Sequence, residues 1–163
     1  MKMGIGLGLV AGLAMLCGVA HAATTTTTFQ VKLTITAQCT IVSASALDFG
    51  SNGVINANID QTSTLNVQCT NTTPYNIGFD AGTGAGGSVA VRKMTGPVSA
   101  TVNYSLYTTA ARTVVWGNTV GTDTIAGTGN GASQPYTVYG RVPTQTTSAP
   151  GNYTDTVTAT VTY

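Results

Sequence analysis

From residue 29 to the C-terminus the chain alternates apolar and polar side chains by two, and nowhere after residue 22 is an apolar period of 3.6 sustained. Successive side chains of a strand point to opposite faces, so a period of two specifies half-buried β-strands, whereas amphipathic helices need 3.6. Phe29, Val31, Leu33, Ile35 and Ala37 share one face, against Gln30, Lys32, Thr34, Thr36 and Gln38 on the other. The pattern returns at Leu65, Val67 and Cys69, at Tyr75, Ile77 and Phe79, at Val89 and Val91, and at Val102, Tyr104 and Leu106. It continues through the short apolar run 114–116 and through Tyr136, Val138 and Val142, and ends with Val157, Ala159, Val161 and Tyr163.

Turn signals separate these runs: Asn52-Gly53, the glycine-rich stretch 82–87, Gly96-Pro97, residues 127–131 and Pro150-Gly151. Many short alternating strands punctuated by Gly and Pro predict an all-β sandwich or barrel. The abundant Thr suits the outer faces, because its branched side chain fits the pleat while its hydroxyl stays wet.

Residues 1–22 read as a secretory signal peptide. Lys2 is the positive end, residues 5–19 are a Gly/Ala/Leu-rich apolar run, and Ala20-His21-Ala22 is an A-x-A site, with cleavage expected between Ala22 and Ala23. The apolar run is shorter than the roughly 20 residues of a spanning helix and no stop-transfer pattern follows, so no membrane span is expected in the mature form. Cys17 follows Leu16, where a lipidation motif wants a small residue.

Residues 23–163 suffice for one domain with a core. Removing Lys2 from the 6 basic residues leaves them level with the 5 acidic ones, which are all Asp. A chain near neutrality lacks the basic surface that nucleic acid or anionic membrane requires, and favours self-association. Cys39 and Cys69 are the two cysteines left after cleavage, and an even pair in an exported chain is most simply a disulfide, with two buried thiols as the alternative. Closing that loop is worth roughly 3 to 4 kcal/mol by the chain-entropy argument.

The mature chain carries no His and no Glu, so a Ser-His-Asp or Cys-His nucleophile and a His-bearing metal site have no residues to build them. No enzyme, metal or cofactor is expected. Asp48, Asp60, Asp80, Asp123 and Asp155 are scattered and read as turn residues bonding their own backbone. Gly82-Thr83-Gly84-Ala85-Gly86-Gly87 matches G-x-G-x-x-G, but strand-like alternation over 88–94 follows where a dinucleotide site needs a helix, so a hairpin loop is expected. Arg92-Lys93 reads as a solvated strand end. Trp116 and the 7 tyrosines read as core rather than as a sugar-binding face.

The two ends of the chain carry the functional reading. The run 29–37 stands behind a soft Thr-rich leader, 24–28, and before the first mature cysteine, where it is free to detach from its own domain. The last run continues to Tyr163 with no further strand after it, so an unpaired edge and an uncovered groove are expected.

In order along the chain, several segments together resemble the spore coat protein U domain family, which includes subunits of archaic chaperone-usher pili. They are Val31-Lys32-Leu33-Thr34-Ile35 before Cys39-Thr40, Leu47-Asp48-Phe49-Gly50, and Leu65-Asn66-Val67-Gln68-Cys69. Next come Tyr104-Ser105-Leu106-Tyr107, Ala110-Ala111-Arg112-Thr113 with Val115-Trp116-Gly117, Tyr136-Thr137-Val138-Tyr139-Gly140-Arg141, and Gly151-Asn152-Tyr153-Thr154-Asp155-Thr156-Val157. One departure is Ala110, where many family members carry Asp.

The resemblance implies an incomplete immunoglobulin-like β-sandwich over 39–163, completed by a donor strand from a neighbour's 23–38. The donor residues would be Phe29, Val31, Leu33, Ile35 and Ala37; the acceptor edge would include the strand 156–163, with Val157, Ala159, Val161 and Tyr163 as its residues. Partners would be neighbouring copies or related pilus subunits in a head-to-tail polymer, a periplasmic chaperone and an outer-membrane usher, at the cell surface in a pilus that supports adhesion and biofilm formation. The alternative within the family is a secreted monomeric coat or matrix protein whose own N-terminal strand fills its groove. A lectin or hydrolase on the same sandwich is a third reading, weakened by the missing His and Glu. A tip adhesin would carry an added binding domain and need no donor strand.

Overall fold

Alternation by two is realised as antiparallel strands throughout. The computed structural model describes residues 20–163, so the apolar run of the expected signal peptide lies outside the described residues. Eight strands are formed among them: β1 (Cys39–Ala44), β2 (Ile59–Cys69), β3 (Pro74–Phe79), β4 (Arg92–Thr95), β5 (Thr101–Tyr107), β6 (Ile125–Thr128), β7 (Ser133–Val142) and β8 (Ala159–Thr162). They make a five-stranded sheet in the order β1-β2-β7-β5-β4 and a three-stranded sheet in the order β6-β3-β8. The expected all-β class is what the structure has.

The long β2–β7 pairing, from Ile59 opposite Val142 to Gln68 opposite Ser133, sets the register of the larger sheet. A one-residue slip would turn Leu65 and Val67 outward, so the apolar pattern fixes this register. Leu65, Val67, Tyr75, Ile77, Val138 and Val142 are buried with Trp116, which is 0% exposed and donates from Nε1 to the Ile77 carbonyl at 2.8 Å. Trp116 also meets Phe79 edge-on, with ring centroids 4.7 Å apart. The tryptophan expected in the core is there, its polar atom satisfied.

Cys39 and Cys69 are register partners on β1 and β2, and a disulfide joins them. It holds the edge strand β1 to its sheet.

Several strand expectations shift. Residues 88–91 form a tight turn, with the Ser88 amide donating to the Val91 carbonyl at 2.9 Å, and only Arg92–Thr95 is strand. Val115 makes a single bridge to Tyr107. The last strand begins at Ala159, three residues later than expected. β1 and β6 carry little alternation and were not among the expected strands.

The chain divides into two units between Thr34 and Ile35. Residues 20–38 belong to no strand. The run 29–37 therefore forms no strand within the single chain. Extended backbone becomes strand only when a partner completes its ladder.

Candidate functional site

The site lies beyond two sheet edges. β1 ends the five-stranded sheet, β8 ends the three-stranded sheet, and neither has a partner on its outer side among the described residues. Between the segment that continues β1, residues 44–50, and the segment that leads into β8, residues 153–159, an apolar groove opens into the core. It comprises a cavity of about 560 Å³ floored by Leu65, Phe79, Leu106 and Val138. A second cavity of about 460 Å³ extends it beneath Ile55, Ile59, Val102 and Val142. The two share Leu47, Asp48, Phe49, Met94 and Tyr153.

The near wall follows from local sequence. Leu47 and Phe49 point inward, and Asp48 between them is exposed. Asp48 Oδ1 accepts the Gly50 amide at 2.8 Å, where Gly50 takes φ +73°, so a short Asx turn ends the wall. Gly140 of β7 lets the wall seat, because a Cβ there would overlap the Leu47 side chain.

The far wall is held by Asp155. Its Oδ1 accepts the amides of Thr83 (2.8 Å), Gly84 (3.0 Å) and Thr156 (2.8 Å) and the Thr83 hydroxyl (3.0 Å). Its Oδ2 accepts the Tyr104 hydroxyl at 2.7 Å. Burial opposes ionisation of this carboxyl, but the bonds from Tyr104, Thr83 and Thr156 outweigh it and hold the pKa below the ordinary carboxylate value. Burial, then the bond to Asp155, pushes the Tyr104 phenol well above its usual range. The glycine-rich loop thus wraps a carboxylate of its own chain, and Gly82 allows the approach because a Cβ there would overlap Asp155; because β3 and β4 lie in different sheets, the loop crosses between sheets, which corrects the expected hairpin. Asp80 supports the same wall, accepting the Gly82 and Thr158 amides at 2.9 Å each.

Asp48, Asp80 and Asp123 bond nearby backbone as expected of turn residues. Asp80 also reaches Thr158, Asp155 reaches across the fold, and Asp60 pairs with Arg141 at 2.7 Å and Arg112 at 3.4 Å. Arg92 corrects its expectation outright. It is 0% exposed and donates to the carbonyls of Asp80 (2.7 Å), Val89 (3.0 Å), Phe79 (3.0 Å) and Trp116 (2.8 Å).

Of the expected acceptor residues, Val157 and Ala159 line the groove. Val161 packs against the core, and Tyr163 is 60% exposed at the chain end. Of the expected donor residues, Phe29, Val31, Leu33 and Ile35 are 85%, 86%, 86% and 77% exposed, and Ala37 is exposed. Leu47, Phe49, Met94 and Tyr153 line the groove without having been assigned to it. The Leu47-Asp48-Phe49 alternation was the available signal for Leu47 and Phe49. Among the described residues no His/Cys/Asp/Glu group could hold a metal, and no helix is long and apolar enough to cross a membrane.

Comparison with known proteins adds three likenesses. The Spore Coat Protein U domain profile matches residues 25–160. Protein U of Myxococcus xanthus is 34% identical over 158 residues, covering 88% of each chain. A chain of the CsuC-CsuE chaperone-tip adhesion subunit pre-assembly complex, from the archaic chaperone-usher Csu pili of Acinetobacter baumannii, superimposes with a TM-score of 0.56 at 22% identity. That likeness is one of fold; it covers 80% of the present chain, which spans 40% of the other.

Proposed function

The chain belongs to the Spore Coat Protein U domain family, and from that premise we propose that it is a structural subunit of a secreted surface fibre, an archaic chaperone-usher pilus. It polymerises when residues 29–37 of one subunit enter the groove of the next. One observation carries this reading: alternating large apolar side chains stand exposed at Phe29, Val31, Leu33 and Ile35, while an apolar groove lies open between the segment that continues β1 and the segment that leads into β8.

Strand addition satisfies both features. Backbone hydrogen bonds complete the free edges, and alternate side chains fill the groove. Burying four or five apolar side chains at about 1.5 to 3 kcal/mol each gives an upper range of roughly 6 to 15 kcal/mol before ordering costs. Donor and acceptor lie on one chain and serve different neighbours, so the contact is heterologous and propagates an open filament. Before assembly the groove needs a temporary cover, the role of a periplasmic chaperone; an outer-membrane usher then passes the subunit to the surface, where the fibre serves adhesion and biofilm formation. The fold likeness to a chain from a chaperone-subunit pre-assembly complex supports the chaperone step.

The test is Leu33→Asp in the full secreted chain. On an unheated denaturing gel the unaltered chain is expected to give a heat-labile multimer ladder; a charge in the middle of the donor face leaves the body untouched, so Leu33→Asp should give a single band. An unchanged ladder would refute the reading.

A further inference from the structure

Strand addition by alternating apolar residues leaves one thing open: a slip of two residues keeps the same side chains facing inward. Such a slip moves the donor by about 6.8 Å, two residues of strand rise, without exposing its apolar face. Side-chain size along the donor face favours one register, and charge on the outward face is a second means of selecting it.

Between residues 23 and 38 the donor segment carries one charged side chain, Lys32, flanked by the inward-facing Val31 and Leu33. The groove lining carries two charged side chains among the described residues, Asp48 and Asp155, and no basic one. Asp155 is saturated, with four donors on Oδ1 and the Tyr104 hydroxyl on Oδ2. Asp48 accepts the Gly50 amide on Oδ1. Its Oδ2 has no hydrogen-bond donor among the described residues, and the side chain is exposed at the groove mouth between the inward-facing Leu47 and Phe49.

Resting on the fibre reading above, we propose that Lys32 of one subunit pairs with Asp48 of the next, fixing the register of the donor strand. The match is one of parity as well as charge. Lys32 lies outward between two groove-filling residues, and Asp48 lies outward between two wall residues, so the pairing sets Val31 and Leu33 beside Leu47 and Phe49. The ammonium has three donors to offer and Asp48 Oδ2 is open to accept one. An exposed ion pair adds little affinity, and its effect is selection: a two-residue slip forfeits it, and a like charge opposite penalises the register.

The experiment measures the lifetime of the multimer ladder at a fixed sub-boiling temperature in detergent, for the full chain and for Lys32→Asp, Asp48→Lys, Asp48→Asn and the Lys32→Asp/Asp48→Lys double variant. Each single charge reversal is expected to shorten the lifetime about two- to five-fold, the scale of an exposed pair, and the double variant to restore it. Asp48→Asn keeps an acceptor for the Gly50 amide, so a loss there reports the charge rather than the turn. The lifetime of the unaltered ladder should also fall to the Asp48→Asn value as salt rises from about 0.01 to 1 M, where the screening length drops from ~30 to ~3 Å. A persistent ladder indifferent to every variant overturns the pairing and leaves the fibre standing. Reversals that shorten the lifetime with no recovery in the double variant also overturn it. Absence of a ladder from the unaltered chain overturns the fibre reading and the pairing with it.

Discussion

The Tyr104 hydroxyl donates to Asp155 Oδ2 at 2.7 Å, tying β5 of the larger sheet to the segment that leads into β8 of the smaller one. That segment is the far wall of the groove, and this bond together with the backbone bridge between Thr95 and Thr154 ties the wall to the larger sheet. Asp155→Ala would leave the Tyr104 hydroxyl and three amides without their acceptor, and a cost of about 1.5 to 3 kcal/mol is expected in urea denaturation of the purified chain. An effect below about 0.5 kcal/mol would mean that water replaces the carboxylate freely.

Acid should weaken the fold in a defined direction. Hydrogen bonding by Arg141 lowers the pKa of Asp60. At Asp80 and Asp155 burial acts the other way, and bonds from Thr158 and Gly82, and from Tyr104, Thr83 and Thr156, outweigh it. A carboxyl whose folded pKa lies below its unfolded value contributes stability that is fully present above the ordinary value of 3.8 and is lost as pH falls through the folded value. With no His between residues 22 and 163, stability should stay level through neutrality. Denaturation midpoints measured from about pH 8 to pH 2 should be flat above roughly pH 5 and fall below pH 4; a fall beginning above pH 6 would contradict the assignment.

Arg92 is the most demanding buried group. Burial lowers its pKa, with Tyr104, Asp80, Asp155 and Asp123 acting in the opposite direction. Its guanidinium joins carbonyls of residues 79, 80, 89 and 116, so it stitches the end of β3 to two connecting segments. Arg92→Lys should not rescue it, because an ammonium lacks the planar fork that reaches several carbonyls at once. Both Arg92→Lys and Arg92→Met are expected to lose about 3 kcal/mol or more, read as lower denaturation midpoints and lower yields of folded protein. A stable Arg92→Lys would show that the positive charge alone suffices.

Arg92 also shows where sequence reading loses the fold. A period of two predicts which face a residue takes only while the strand is unbroken, and the turn at 88–91 resets the parity. Arg92 and Met94 therefore face the core, and Val91 is left 44% exposed. No local rule locates four carbonyls converging from distant segments. By contrast, Leu65, Val67, Tyr75 and Ile77 lie in uninterrupted runs and are buried as their alternation requires. The groove was half legible. The apolar faces at 29–37 and 157–163 stand in the sequence, as does the Leu47-Asp48-Phe49 wall. The opening itself comes from β1 and β8 ending different sheets, which is a long-range result of strand order.

The central claim is that residues 29–37 of one subunit complete the sheet of another. Amide hydrogen exchange over these residues, compared between intact polymer and heat-dissociated, refolded monomer, tests it most directly. Slow exchange of residues 30–36 in the polymer and rapid exchange in the monomer is the expected result, since only the neighbour's groove supplies their hydrogen-bond partners. Equal exchange in the two states, whether fast in both or slow in both, would contradict the account: the first would mean that the polymer is joined elsewhere, the second that each chain fills its own groove.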